Sequence, residues 1–438
     1  MPPPKAQPPG QTRRVMTFKE SIGAMLRLAS GSGSAQVIQF GSALVLARLL
    51  EPAVFGDYTV FFGYGSMLIA IGSLKLEQAI QLQATDAQAR EFGRSALLVG
   101  GPLTFLLACL LGTAGWLGWL PGSQSWRPDW FAALPAFAWL GIAFNTATAW
   151  HIRRARFALV ARMRWLMAGG VAAGQIAGAL CGLGLTGQIW GSVLGTFVGL
   201  TTAHFGLLRA RWSRGLAGTA FDEHAAGAAA CWTGWREHSV NLVLAALVGT
   251  AAWQIPPVLL REFWGADAAG CYALAFRISS APLAILQAAF SDIAYRETTI
   301  RLQAGAGLRE YVRRSILALF VLSAAIAVAA TLATPWGVPA VLGARWHWVA
   351  SLLPWMMFSF VFRLTGGTLS LFTQTGRTGL FLAWQVAFLL AHLACFAGAH
   401  YAGLGLMGVT IAAALVQSGF YLLLVLANFS LAARPTRP

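Results

Sequence analysis

The sequence predicts an all-α polytopic membrane protein with about twelve transmembrane helices, in two six-helix bundles related by an internal repeat. Hydrophobic residues make up 57% of the chain and charged residues 11%, against about 25% charged residues in a typical soluble domain. Twelve apolar segments have the length of about 17 to 25 residues that a helix needs to cross about 30 Å of hydrocarbon. A hairpin motif that occurs once in each half predicts the repeat.

The repeated hairpin lies at 45–72 in the first half, VLARLLEPAVFGDYTVFFGYGSMLIAIG. Pro52 and Gly56 are residue types that interrupt helices, so we predict a tight reversal of the chain there. A shift of 214 residues brings 259–286 onto this stretch. Such half-length repeats are common in transporters, and we expect Gly56 and Gly270 to occupy equivalent positions. The matching pairs are Leu46 and Leu260, Gly56 and Gly270, Tyr58 and Tyr272, Phe62 and Phe276, Ser66 and Ser280, Ala70 and Ala284, and Ile71 and Ile285.

The two hairpins also resemble those of the polysaccharide flippases in the multidrug/oligosaccharidyl-lipid/polysaccharide exporter superfamily. The resemblance implies a transporter that moves a polyprenyl-diphosphate-linked oligosaccharide from the inner to the outer leaflet of the bacterial cytoplasmic membrane. It also implies membrane lipid, that lipid-linked glycan and a polysaccharide polymerase complex as partners. The matching residues are Ala47, Arg48, Leu49, Leu50, Glu51, Pro52, Phe55, Gly56 and Tyr58, then Gly265, Ala269, Gly270, Tyr272, Ala273, Ala275, Phe276, Arg277, Ile278 and Pro282. A third similar stretch covers 341–355 and is followed by Gly376 and Arg377.

The distribution of positive charge predicts the orientation of the chain. The formal net charge is +16, and of the 31 Lys and Arg residues 25 fall on one side of the predicted spans, four on the other and two within helices. The positive-inside rule then places both termini in the cytoplasm. This pattern argues for topology and contact with anionic lipid rather than for a nucleic-acid partner. The predicted units are a cytoplasmic tail with an interfacial helix at 1–28, bundles at 29–208 and 240–431, a cytoplasmic linker at 209–239 and a cytoplasmic tail at 432–438.

Residue patterns typical of enzymes and cofactor sites are missing from the sequence. The predicted outer loops are short and carry only scattered acidic residues, whereas a membrane glycosyltransferase or polymer ligase needs acidic or basic groups in a sizeable loop. There is no GxxxxGK[ST] motif, and the five cysteines contain no CxxC pair. We therefore predict neither catalytic residues, nor a metal, nor a cofactor.

The candidate substrate site consists of polar groups within the predicted helices of both halves. Arg277 and Arg363 each lie on a polar stripe, and a charge within a membrane helix is costly unless it is paired or hydrated. Asp292 and Glu77 are candidates for ion pairing or coupling. With the substrate class that the resemblance implies, we expect both arginines to hold the diphosphate in turn, while Gln36, Gln39 and Tyr58 contact sugar hydroxyls. Ser280 and Gln287 share the stripe of Arg277, although such Ser and Gln side chains also hold helices together.

A second interpretation is a cation-coupled drug exporter of the same superfamily. Such an exporter needs a carboxylate deep in a membrane helix, where this sequence places arginines. The enzyme classes form a third alternative, which needs the large acidic outer loop that the sequence lacks.

Overall fold

The computed structural model describes residues 18–74, 76–77, 80, 86–122, 126–212, 226–304, 308–369, 371–375 and 377–433. Within these ranges the chain is helical and contains no strand. The outer parts of the predicted tails and the middle of the predicted linker lie outside the described residues. Twelve long helical segments are present when α3 and α4, which continue one another across Val99, are counted together and the four-residue α12 is left aside. This confirms the predicted fold class.

Among the described residues, the first half contains seven helices. They are α1 (Phe18–Leu49), α2 (Pro52–Gly72), α3 (Asp86–Leu98), α4 (Gly100–Trp116), α5 (Pro128–Arg153), α6 (Phe157–Leu180) and α7 (Gly184–Trp212). The second half also contains seven. They are α8 (Ala226–Trp264), α9 (Ala266–Ala304), α10 (Leu308–Leu342), α11 (His347–Gly367), α12 (Leu371–Gln374), α13 (Thr378–Tyr401) and α14 (Leu406–Ala432).

Nine helical segments among the described residues are long and apolar enough to cross a membrane. The other three long helices, α1, α6 and α7, are richer in glycine or polar residues. These three helices pack on one another, α1 against α6 and α6 against α7. Their lower hydropathy therefore accompanies helix–helix contact, where small residues replace the large apolar side chains that face lipid.

A row of glycines brings α6 and α7 into close antiparallel contact. A Cβ atom added at Gly174 would lie 2.8 Å from the Cα atom of Gly191, closer than real side chains approach. The same kind of approach recurs one turn away in each direction. Only glycine leaves room for so close an approach. The contact between the two backbones therefore packs α6 and α7 together as a unit. The facing pairs are Gly170 and Gly195, Gly174 and Gly191, and Gly178 and Gly187.

Each repeated motif forms a tight helix hairpin, as predicted. In the first, Glu51 is extended and Pro52 opens α2, where its missing N–H costs nothing because first-turn N–H groups have no helical partner. In the second, Gly265 makes the turn with φ of +89°, a conformation that favours glycine. Gly56 does not interrupt the helix as its residue type suggested. It lies buried inside α2, where it contacts the other half of the chain.

That contact joins Gly56 to Gly270. Each glycine is the fifth residue of its helix, so the two are equivalent positions of the repeat, as predicted. A Cβ atom at Gly56 would overlap the carbonyl of Ala266, and one at Gly270 would overlap the carbonyl of Pro52. The contact is therefore reciprocal, and the starts of α2 and α9 meet face to face. We call the side of the molecule that carries these two hairpins the hairpin end.

Polar contacts between the halves surround this glycine contact. The Nε atom of Arg261 on α8 donates to a carboxylate oxygen of Asp57 on α2 at 2.6 Å, and both side chains are 16% exposed. The backbone N–H of Gly122, between α4 and α5, donates to the Glu262 carboxylate at 2.6 Å. The second half thus contacts two different segments of the first half at the hairpin end.

A further set of contacts ties the end of α1 to the second half. Arg48 donates to the backbone carbonyls of Ala340 and Val341 at the end of α10. The fully buried indole of Trp346 donates to the carbonyl of Ala47 at 2.7 Å. The two halves are therefore held together at the hairpin end by backbone packing, hydrogen bonds and an ion pair at once.

Candidate substrate-binding cavity

A cavity of about 600 Å³ lies between the two halves. Its wall comes from α1, α2, α5, α6 and α7 on one side and from α8, α9 and α14 on the other. Most of the wall is apolar and aromatic, with amide and hydroxyl groups between the rings. Among the described residues that line it, Arg277 is the single charged side chain, and none is acidic. The described part of the cavity wall therefore offers positive charge and hydrogen bonds but no negative charge.

The first-half wall carries a network of neutral polar groups. The hydroxyl of Tyr58 on α2 lies 2.7 Å from the hydroxyl of Ser192 on α7. The amide of Gln175 on α6 donates to the same Ser192 oxygen at 2.9 Å and to the carbonyl of Gln188 at 3.2 Å. Because the glycine contacts hold α6 and α7 together, this network is fixed in place. It presents hydroxyl and amide groups to the cavity.

The second-half wall carries the guanidinium of Arg277 on α9. Its Nη2 atom donates to the backbone carbonyl of Gln39 on α1 at 3.1 Å. This hydrogen bond crosses from one half to the other. It uses one of the five N–H donors of the guanidinium, and the fork geometry of the rest suits a carboxylate or phosphate group.

Arg363 on α11 lies behind the cavity wall. It is 5% exposed and is not among the residues that line the cavity. Its Nη2 atom donates to the hydroxyl of Ser280 at 3.3 Å, and its guanidinium carbon lies 4.5 Å from the ring centre of Trp253 and 4.7 Å from that of Phe276. Among the described residues, no hydrogen-bond partner contacts its Nε or Nη1 atoms. Arg363 is thus a buried cation held mainly by two aromatic rings.

Energetics make this arrangement costly. Burial of an unpaired charge costs several kcal/mol, even after relaxation of the surroundings. Each desolvated cation–π contact returns about 2 kcal/mol. The two rings that cover Arg363 therefore offset part of this cost. An anion in contact with the Nε or Nη1 atoms, which have no hydrogen-bond partner among the described residues, would lower the energy further.

A buried histidine lies close to this cluster. His392 on α13 is 1% exposed, and its Nδ1 atom lies 3.1 Å from the carbonyl of Phe388. A carbonyl only accepts hydrogen bonds, so Nδ1 carries the proton and Nε2 accepts from the Gln417 amide at 3.3 Å. His392 is therefore a packed, hydrogen-bonded side chain that orients Gln417, which itself lines the cavity.

The structure brings five of the nine predicted site residues to the cavity wall: Gln36, Gln39, Tyr58, Arg277 and Ser280. Arg363 reaches Ser280 from behind, and the amide of Gln287 lies beside Gly367 rather than in the cavity wall. The carboxylate of Glu77 accepts a hydrogen bond from Ser73 at 3.4 Å. The side chain of Asp292 lies outside the described residues.

Sequence reasoning missed several residues that the structure adds. Ser192 and Thr196 follow Gln188 at steps of four, a polar stripe that helical periodicity reveals within the glycine-rich α7. Trp253 carries no such signal, because it is one of 18 tryptophans and tryptophans at helix ends are typical of membrane interfaces.

Solved structures of membrane transporters share this architecture. A multidrug resistance MATE family transporter of the MOP superfamily, in an inward-facing conformation, superimposes with a TM-score of 0.61 at 14% identity, covering 92% of this chain and 97% of that one. The lipid II flippase MurJ in an inward closed conformation gives 0.65 at 11%, covering 92% and 87%. A MOP superfamily transporter from Pyrococcus furiosus, described as having a binding pocket of reverse polarity that suggests a different function, gives 0.56 at 13%, covering 94% and 96%. The chain therefore shares the fold of these transporters.

The family follows from the sequence itself. The model of the polysaccharide biosynthesis protein family matches residues 25–295, which is more than half of the chain. The protein belongs to the polysaccharide biosynthesis protein family. No curated protein matches it in sequence. The resemblance seen in the two hairpins is confirmed, and the chain is a multi-pass membrane protein.

Proposed function

We propose that this protein is a flippase that moves a polyprenyl-diphosphate-linked oligosaccharide from the inner to the outer leaflet of the bacterial cytoplasmic membrane. The observation that carries this proposal is the chemistry of the cavity, where the one charged lining group among the described residues is the guanidinium of Arg277. A diphosphate is the anionic part of such a lipid carrier. Guanidinium groups bind phosphate through paired, charge-assisted hydrogen bonds.

The saccharide part of the substrate matches the opposite wall. The Tyr58 and Ser192 hydroxyls, together with the Gln36, Gln39 and Gln175 amides, offer both donors and acceptors, as sugar hydroxyls require. Aromatic rings between them supply flat apolar surface. We propose that the diphosphate contacts the second-half wall, first at Arg277 and then at Arg363, while the sugars contact the first-half wall.

The drug-exporter alternative finds less support. A cation-coupled exporter of cationic compounds needs a carboxylate in or near its cavity, and the described lining residues include none. Glu77 and Asp292 stay candidates for coupling or ion pairing away from the cavity, since neither is among the described residues that line it. A membrane glycosyltransferase or polymer ligase would in addition need acidic groups in a large loop.

Orientation and partners form part of the same proposal. The asymmetry of basic residues supports cytoplasmic termini and a hairpin end at the outer face of the membrane. In that orientation, the contacts at the hairpin end close the cavity toward the outside. A flippase must then open this end to release the glycan, through rocking of one half against the other. A polysaccharide polymerase complex on the outer side would take up the product.

Reconstitution into liposomes tests the proposed function. Vesicles that contain the full chain and a fluorescent polyprenyl-diphosphate-linked saccharide are treated with an impermeant lectin, which binds only outward-facing sugar. We expect the protein to raise the rate at which inward-facing substrate becomes accessible, and Arg277→Ala at normal abundance to lower that increase about tenfold to a hundredfold. Equal rates with and without the protein would overturn the proposal. Export of a cationic dye by the same vesicles would favour the drug exporter.

A further inference from the structure

Two aromatic side chains lie between the cavity and the guanidinium of Arg363. Trp253 and Phe276 both line the cavity, and both rings cover Arg363, at 4.5 Å and 4.7 Å. The guanidinium itself is 5% exposed. A ligand that enters the cavity therefore meets the two rings before it meets the charge.

The helix that carries Trp253 lacks two of the backbone hydrogen bonds that stiffen a helix. Pro256 and Pro257 lie within α8, and proline has no N–H group. The helical bonds that these two residues would donate end on the carbonyls of Ala252 and Trp253, four residues earlier. Two consecutive rungs are thus missing at Trp253 itself, which makes this point of α8 easier to bend than an ordinary helix.

The route from one arginine to the other runs past the same rings. Ser280 lines the cavity one helical turn beyond Arg277, and its hydroxyl accepts the hydrogen bond from Arg363. A bound group that leaves Arg277 along α9 passes Ser280 next. At that point it reaches the indole of Trp253 and the ring of Phe276, which line the cavity and cover the guanidinium of Arg363. The Nε and Nη1 atoms of that guanidinium contact no hydrogen-bond partner among the described residues.

We propose that Trp253 is a gating residue for Arg363. The indole covers the guanidinium until an anionic group that has reached Arg277 displaces the indole and takes its place on Arg363. Neutral groups such as sugars or acyl chains offer no ionic contact in exchange for the lost cation–π contact, so they leave the gate closed. The identity of the anion as a diphosphate rests on the proposed function. The covering of Arg363 by Trp253 does not.

Chemical modification of the intact protein tests the gate. The detergent-purified full chain is treated with p-hydroxyphenylglyoxal, which reacts with accessible guanidinium groups, and mass spectrometry of peptides reads Arg277 and Arg363 separately in one sample. We expect Arg277 to react and Arg363 to be protected. Trp253→Leu should raise the rate at Arg363 severalfold and leave that at Arg277 unchanged, with Trp253→Phe in between.

Trp190→Leu is the matched control, because Trp190 on α7 is 44% exposed and does not line this cavity. It should change neither rate. The proposal is overturned if Arg363 reacts as fast as Arg277 in the unaltered protein, or if Trp253→Leu leaves Arg363 protected. Equal acceleration at both arginines would indicate general loosening and also overturn it. If Trp253→Leu does not fold, Trp253→Phe decides, since an unchanged rate at Arg363 with the smaller ring rejects the gate.

Inorganic pyrophosphate separates this inference from the proposed function. Added to the same reaction, it should protect Arg277 in the unaltered protein, and in Trp253→Leu it should also protect Arg363. If pyrophosphate does not protect Arg277, while Trp253→Leu raises the rate of modification at Arg363, a diphosphate substrate is rejected and the gate is retained. Protection of Arg277 without any effect of Trp253→Leu would reject the gate alone.

Discussion

The equivalent helices α2 and α9 of the repeat both line the cavity, but the two walls to which they belong differ in chemistry. Tyr58 and Tyr272 occupy matching positions, and both line the cavity. The position that matches Arg277 under the same shift of 214 residues is Gly63. A Cβ atom at Gly63 would lie 3.3 Å from the carbonyl oxygen of Gln254, so this position serves close packing of α2 on α8. The two halves thus share the helix hairpin and the aromatic positions, while the charge among the described lining residues lies in the second half.

The glycine contact gives the sharpest test of the symmetric part. Because Gly56 and Gly270 each face a backbone carbonyl of the other helix, Gly56→Ala and Gly270→Ala should destabilise the protein by similar amounts, about 3 kcal/mol each for overpacking without room to relax. Thermal unfolding of purified variants measures this. Gly41→Ala is the control, since no atom lies within 4 Å of an added Cβ atom there. Destabilisation by only one of the two substitutions would contradict a reciprocal contact.

Arg277 and Tyr58 test the asymmetric part. Loss of a hydrogen bond to a charged group removes about 1.5 to 3 kcal/mol, so Arg277→Ala should lower glycan transport about tenfold to a hundredfold. Arg277→Lys should restore part of it, because lysine lacks the paired donors. Tyr58→Phe removes one neutral hydrogen bond, to Ser192, and should lower transport about fivefold. Initial rates in the liposome assay measure both effects. Equal losses of transport in Arg277→Ala and Tyr58→Phe would contradict the proposal that the two walls contact different parts of the substrate.

The ion pair between the halves is expected to have a smaller effect. Asp57→Asn leaves Arg261 without its carboxylate partner on α2 and should cost about 1 to 3 kcal/mol, since the pair is only partly buried. The exchange of both residues, Asp57→Arg with Arg261→Asp, should recover part of that loss. Unfolding midpoints of the single and double variants form a double-mutant cycle. A double variant no better than the sum of its parts would show that the pair is not coupled.

The smallest expected effect concerns an ion pair within the first half. Burial alone raises the pKa of Asp86, but the hydrogen bond from Arg153 and the charges of Arg153 and Arg154 outweigh it, so the pKa lies below its usual value. A depressed carboxyl pKa stabilises the fold above the unfolded-state pKa of about 3.9, and this contribution is lost as the pH falls through the lower folded value. Asp86→Asn should therefore lower the unfolding midpoint at neutral pH and converge with the unaltered protein in acid. Parallel curves down to the lowest pH would contradict this.

The sequence predicted the fold and the repeat well because both depend on local signals. Long apolar segments report membrane helices directly, and Gly56 and Gly270 stand at the same offset as the starts of their helices. It predicted the cavity in part, since Gln36, Gln39 and Arg277 could be placed on helix faces by periodicity. It did not predict that Arg363 lies behind Trp253, because the depth of a side chain within a helix bundle depends on the neighbouring helices. Nor did it reveal the hydrogen bond between Gln175 and Ser192, because this contact depends on how closely the facing glycines let α6 and α7 approach.

The reciprocity of the glycine contact also bears on the origin of the chain. Each glycine meets the first residue of the other helix, so the surface formed by the start of one such helix is complementary to a copy of itself. A single six-helix polypeptide with this hairpin would meet a second copy through the same glycine, twice per dimer. Gene duplication and fusion would then convert that homodimer into one chain without any change at the interface. After fusion the two copies vary separately, which allows an arginine at position 277 opposite a glycine at position 63.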